Sequence, residues 1–140
     1  MAMQITNQAD YALRSMIYIA QNGHNRLTPS NVIAEEMQIS RIFLSRINSE
    51  LVGAGLIKTR RGARGGIMLA KSPAEISIYD IVTTIDGKIN LIHCTEDPET
   101  CPLADACPYL KFWKETEDQI IAQLKGTTLQ DMLDQPATPA

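Results

Sequence analysis

Between Ser40 and Lys71 the sequence runs SRIFLSRINSELVGAGLIKTRRGARGGIMLAK. In its first half apolar residues recur at helical spacing, with Ser40 placed to cap a helix whose inner face is Leu44, Ile47, Leu51 and Ala54. Arg41, Ser45 and Asn48 then share the outer face. The second half holds two short β-prone runs, Leu56 to Thr59 and Ile67 to Leu69, joined by a loop in which Gly62, Gly65 and Gly66 stand among Arg60, Arg61 and Arg64. This predicts a hairpin with a charged tip, because glycine lets a backbone approach another surface and arginine suits the narrow, electronegative minor groove of DNA. Just upstream, LTPSNVIAEEMQIS offers a short helix with Thr28 as cap, Pro29 at the first helical position and a stripe of Val32, Ile33 and Met37. A short helix, a turn of about three residues and a helix with a basic outer face make a helix-turn-helix. The hairpin that follows reads as its wing.

Charge supports this reading once its distribution is considered. The 140-residue chain has a formal net charge of −3, which by itself argues against a nucleic-acid partner. Residues 41–71, however, contain seven basic side chains against Glu50 alone, so a positive segment lies within an acidic remainder. Such a segment can follow a phosphate backbone while the acidic part faces elsewhere.

Outward from this segment, NQADYALRSMIYIAQNG repeats Ala9, Ala12, Leu13, Met16, Ile17 and Ala20 at helical spacing, with Thr6 or Asn7 as cap and Gly23 as stop. ISIYDIVTTIDG predicts a helix capped by Ser77, closed at Gly87 and packed beside the first. PYLKFWKETEDQIIAQLKG predicts a long helix from Pro108 to Gly126, with an apolar stripe of Leu110, Trp113, Ile120, Ile121 and Leu124 broken by Glu117. A solitary helix with such a stripe needs a covering surface, which a two-fold partner offers, so a homodimer is expected. A last turn starts at Thr127 or Thr128 and runs through Leu129 and Leu133, and QPATPA should be disordered. The fold class is therefore mainly α with a small β-hairpin. The expected divisions are a winged helix-turn-helix domain at 1–87, a cysteine loop at 88–107, a dimerisation helix and turn at 108–134, and a tail at 135–140.

All three cysteines, Cys94, Cys101 and Cys107, fall between that domain and the long helix. No apolar run approaches the roughly 20 residues of a membrane span, and MAMQITNQADYALR lacks the profile of a signal peptide, so a cytoplasmic protein without a membrane partner is expected. In that reducing compartment an odd number of clustered cysteines points to metal or redox chemistry rather than to disulfides. Thiolates suit iron-sulfur clusters and zinc alike. Structural zinc motifs pair cysteines two to four residues apart, whereas the gaps here are six and five residues, with Pro98, Pro102 and Pro108 shaping the loop. Enzymatic chemistry has little support: His24 and His93 are the only histidines, no CxxC is present and no glycine loop for phosphate precedes a helix.

The phrases TNQADYALRSMIYIA, GLIKTRRGARGGIMLAKSP and ISIYDIVTTIDG, followed by a three-cysteine loop and a long helix, resemble the Rrf-two family of bacterial winged-helix regulators over roughly residues 3 to 133. Three-cysteine members of the IscR-like and NsrR-like types are dimeric transcription factors that hold an iron-sulfur cluster in this loop, and its state sets DNA binding. The resemblance implies double-stranded operator DNA as partner, with repression as the expected outcome. Cys94, Cys101 and Cys107 would be the cluster ligands. Ser40, Arg41, Phe43, Ser45 and Arg46 would belong to the recognition helix, and Arg60, Arg61, Gly62 and Arg64 to the wing. Arg61 would enter the minor groove.

The fourth ligand is the informative one. IscR-like members place a histidine three residues after the third cysteine, where this chain has Leu110. NsrR-like members use an aspartate in the first helix of the other subunit within a TDxALR motif, which ADYALR resembles, and this nominates Asp10. His93 or an exogenous ligand are the rivals. Asp10 favours a 4Fe-4S over a 2Fe-2S cluster, which would sense nitric oxide, redox or iron-sulfur status, with nitric oxide or oxygen as effector. A cluster-free regulator using a cysteine thiol switch, or a zinc-binding one, are the alternatives.

Overall fold

The computed structural model describes residues 4–23 and 25–135. The first helix, α1 (Asn7–Gln21), begins where the Thr6 hydroxyl accepts a hydrogen bond from the Ala9 N–H at 3.1 Å. Its fully buried face of Ala9, Ala12, Met16 and Ile19 makes it the central element of the fold. Helix α2 (Ser30–Met37) ends as Gln38 turns into the left-handed region (φ 56°), and the Ile39 N–H closes back on the Ala34 carbonyl. This cap orients α3 (Arg41–Gly53), whose first turn is held by the Ser40 hydroxyl accepting from the Phe43 N–H. Leu44, Ile47 and Leu51 of α3 meet Ile33 of α2 and Met16 of α1 in one apolar cluster. Each such side chain contributes about 1.5–3 kcal/mol on burial.

Strands β1 (Ile57–Arg60) and β2 (Gly66–Leu69) form an antiparallel hairpin in the register Ile57 with Leu69 and Arg60 with Gly66. Helix α4 (Ile78–Asp86) opens with a capping box in which Ser77 and Asp80 exchange side-chain-to-backbone bonds at 3.0 Å, and it packs along α1. A one-turn helix α5 (His93–Glu96) carries Cys94, and two 3-10 turns (Pro98–Thr100 and Ala104–Ala106) flank the stretch that includes Cys101. The long helix α6 (Pro108–Gly126) follows, and α7 (Leu129–Asp134) starts at a second capping box, Thr128 with Asp131. Hydrogen bonds from the Ile78 N–H to the Thr127 carbonyl and from the Leu129 N–H to the Ile76 carbonyl join the chain's end to the segment before α4, and Leu129 enters the main core. The architecture is a winged helix extended by a C-terminal helix, as the sequence leads one to expect.

Several local expectations are corrected. Thr28 does not cap α2. It is fully buried, pairs with Ile67 as a third strand position through two 2.8 Å backbone bonds, and accepts from the Asn22 side chain, so Pro29 takes the cap position instead. Asn48 is not on the outer face: only 8% exposed, it lies beneath the wing. Ala54 is exposed, because nothing packs over that side of the helix end. Glu117, read as a break in the stripe of α6, is the one residue of that helix that is buried among the described residues. The expected disordered tail falls mostly on residues 136–140, outside the described residues.

Candidate nucleic-acid interface and cysteine site

On α3, Arg41, Ile42, Ser45 and Arg46 are all exposed, whereas Phe43 is partly covered by the Tyr11 ring of α1 at 6.2 Å. Arg41 and Arg46, five residues apart, project about 140° from each other around the helix, so they flank the exposed face instead of sharing one line. Ile42, 78% exposed, lies between them and adds a large apolar side chain to this face. Apolar side chains at such positions can meet a thymine methyl.

The wing tip is built by backbone packing. A Cβ at Gly65 would lie 2.0 Å from the Arg60 carbonyl oxygen, so only glycine fits there. Its N–H bonds the Gly62 carbonyl at 2.9 Å, and Gly62 takes a φ of 108°. The result is a short turn presenting Arg61 and Arg64 to solvent, with Arg60 at the end of β1. Among the described residues, neither ion pair involves a side chain of the basic segment 41–71. These cations are available for phosphates. Between α2, α3 and the wing lies a hollow of about 360 Å³ lined by Ser30, Asn31, Asn48 and the wing backbone, and the Asn48 side-chain oxygen there is buried without a partner.

The cysteine site hangs from α6. Cys94, Cys101 and Cys107 are all free and half-buried. Cys107 occupies the N-cap of α6, where a negatively charged cluster would meet the positive end of a 19-residue helix. It shares a cavity of about 530 Å³ with Thr95, Pro98, Leu110, Lys111 and Lys114. Among the described residues no three histidine, cysteine or acidic side chains lie close enough to hold one ion. The donor set nonetheless fits iron chemically, since all three thiols are unpaired, partly accessible and carried on short turns. Along α6, Leu110, Trp113, Ile121 and Leu124 are half-buried, Ile120 is 38% exposed and Phe112, stacked edge-on against Trp113, is 55% exposed. The stripe is thus partly covered within the single chain, by α4 and α5, and is most open at Phe112 and Ile120.

The family model for Rrf2, an iron-dependent transcriptional regulator, matches residues 5–135. The chain belongs to the Rrf2 family. It is 33% identical over 132 residues to the HTH-type transcriptional regulator NsrR of Shouchella clausii, covering 94% of this chain and 89% of that protein. Among solved structures it is similar to CymR, the global cysteine regulator of B. subtilis (TM-score 0.78, 30% identity, 94% of this chain and 96% of that one). It is also similar to T. potens IscR (TM-score 0.77, 25% identity, 99% of this chain and 95% of that one). This Rrf2 protein is thus a DNA-binding, winged-helix transcriptional regulator, a class of protein that is not enzymatic. No helix among its described residues is long and apolar enough to cross a membrane.

Asp10, the nominated fourth ligand, is half-exposed on α1 and pairs with Arg14 at 2.8 Å. Arg14 also lies 5.4 Å from the centre of the Tyr11 ring and donates to the Met37 carbonyl at 3.4 Å. An exposed pair of this kind is worth under about 1 kcal/mol, so Asp10 can exchange Arg14 for another partner at small cost. His93 is exposed at the start of α5. Glu117 and Thr95 were not singled out as site residues. The one signal for Glu117 was a carboxylate standing where the stripe calls for an apolar side chain.

Proposed function

We propose that this Rrf2 regulator is a dimeric, operator-binding repressor whose DNA affinity is set by an iron-sulfur cluster on Cys94, Cys101 and Cys107. Asp10 of the partner subunit supplies the fourth ligand, and nitric oxide or oxygen is the signal. The observation that carries this reading is one juxtaposition. Of the three free, half-buried thiols, Cys107 caps a helix whose apolar stripe is only partly covered and Cys94 rides on the short helix packed against it, so one dimer contact can both bury the rest of the stripe and bring a donor from a second chain. In this arrangement Arg41, Ser45 and Arg46 face the major groove and Arg61 the minor groove. The cluster ties one subunit's α1 to its partner's α6. Its loss shifts the spacing of the two recognition helices, to which specific binding by a dimer is sensitive.

A second reading, a cluster-free thiol switch, is favoured by the absence of a gathered donor set among the described residues and by the likeness to CymR. Anaerobic purification separates the two. A brown protein with Mössbauer signals for a 4Fe-4S cluster and one non-cysteine ligand, losing operator binding in a mobility-shift assay on nitric oxide addition, supports the cluster. A colourless protein whose binding follows reversible thiol oxidation supports the switch, and one zinc per chain with no iron sinks both.

A further inference from the structure

Glu117 is 4% exposed in the middle of a helix whose other described residues are exposed or only half-buried. A buried carboxylate is costly unless hydrogen-bonded, and its bonds lead to the cysteine site. Its Oε2 accepts from the Thr95 hydroxyl at 2.6 Å and from the Leu91 N–H at 3.2 Å. Thr95, itself buried, has a single hydroxyl hydrogen, which is shared between Glu117 Oε2 and the Ile92 carbonyl 2.7 Å away. Leu91 and Thr95 bracket Cys94, so one side chain of α6 clamps the turn that carries that thiol. Cys107 is the N-cap of the same helix. Cys101 differs: it lies between two single 3-10 turns, and among the described residues its N–H makes a local bond, to the Pro98 carbonyl at 3.2 Å.

We propose that Glu117 is the positioning residue of the cysteine site. It fixes the Cys94 turn to α6, so that Cys94 and Cys107 are referenced to one rigid helix and Cys101 is the thiol that moves to complete the site. This rests on the reading that the three cysteines form one functional site, and it holds for a cluster or a thiol switch alike. Both bonds end on the same oxygen, so the amide oxygen of glutamine can take both, whereas leucine fills the space and takes neither. The carboxylate acts here as an acceptor and not through its charge.

The test uses the full-length protein, cluster-free and anaerobic, as wild type, Glu117→Gln and Glu117→Leu. Hydrogen exchange at the Leu91 amide and iodoacetamide labelling of each cysteine, both read by mass spectrometry, report the clamp without any metal. In Glu117→Leu, Leu91 exchange and Cys94 labelling should rise about tenfold, the equivalent of one lost hydrogen bond, while Cys101 and Cys107 stay within about twofold. Glu117→Gln should match wild type. Thr95→Val, which removes one of the two donors, should accelerate Cys94 labelling in the same direction and guards against a Leu variant that fails to fold. Labelling of Cys94 unchanged in both folded variants, or Glu117→Gln behaving like Glu117→Leu, overturns the proposal. After anaerobic reconstitution, iron per chain should be equal in wild type and Glu117→Gln and less than about half that in Glu117→Leu, by the same reasoning. Equal iron and identical spectra in all three overturn the positioning role and leave the cluster standing. A wild type that takes up no iron refutes the cluster and leaves the labelling pattern to decide the clamp.

Discussion

Leu51 in α3 and Glu117 in α6 are both nearly inaccessible, at 0% and 4% exposure, yet they hold their regions by opposite means. Leu51 sits in a continuous apolar cluster that joins α1, α2, α3, the hairpin, α4 and α7. Glu117 lies outside that cluster and holds its loop through two hydrogen bonds. The first kind of contact is non-directional and shared among many neighbours, Leu129 of α7 included, so the loss of one is spread over the whole body. The second is directional and local, and suits a segment that must be placed accurately while remaining able to change state. The division separates the two regions: the geometry of the helix-turn-helix is locked into the core, while the cysteine loop hangs on a few directional bonds and can change without unfolding it.

The division is most severely tested by Leu51→Ala, expected to cost about 2–5 kcal/mol in denaturant unfolding and to weaken the whole body cooperatively. An effect confined to α3 would break the picture of one shared core. Next in size are changes at the wing tip, which should alter DNA binding and leave the fold alone. Arg61→Ala should weaken operator binding by about 1–3 kcal/mol at fixed salt. Gly65→Ala should do at least as much, because its Cβ cannot coexist with the Arg60 carbonyl and the tip must be rebuilt. Unchanged affinity in both would remove the wing from the interface.

Smaller still is Asp10→Ala, expected to cost under about 0.5 kcal/mol of stability as an exposed ion pair is lost. If the three cysteines hold a cluster as proposed, it should nevertheless change the absorption spectrum and blunt the response to nitric oxide. Asp80, another first-turn carboxylate, is a poor control for it. Its capping box makes Asp80→Ala cost about 1 kcal/mol, so exposed Glu36 on α2 serves better. The smallest effect on stability, near zero, should come from replacing Cys94, Cys101 or Cys107 by alanine, since none belongs to the main apolar cluster. Each replacement should abolish iron loading. A melting temperature that falls steeply in these variants would show that loop and body are not separable after all.

What the sequence made legible follows the same line. Caps such as Ser40 and Ser77 are local, with donor and acceptor three residues apart, so they could be found by inspection. The hairpin was found for a similar reason, with strand limits off by about one residue. Thr28 was misread because its role depends on Ile67, far along the chain, and a threonine before a proline satisfies the helix-cap rule equally well. Asn48 and Ala54 were misplaced because a helical wheel cannot know that the wing covers one side of α3 and nothing covers the other. At the candidate site the thiols announced themselves by spacing, while the clamp on Cys94 joins residues 22 and 26 positions apart through a carboxylate that periodicity marks as a defect.

The hairpin carries one more consequence. Strand β2 is flanked by β1 on one side and by Thr28 on the other, which leaves β1 with the sheet's open edge. Along it Lys58, Thr59 and Arg60 are exposed. Unpaired strand edges invite addition of a strand from another molecule, and charged side chains along them discourage it. Lys58 and Arg60 are thus gatekeepers of that edge, and neutralising them would expose a template for edge-to-edge aggregation.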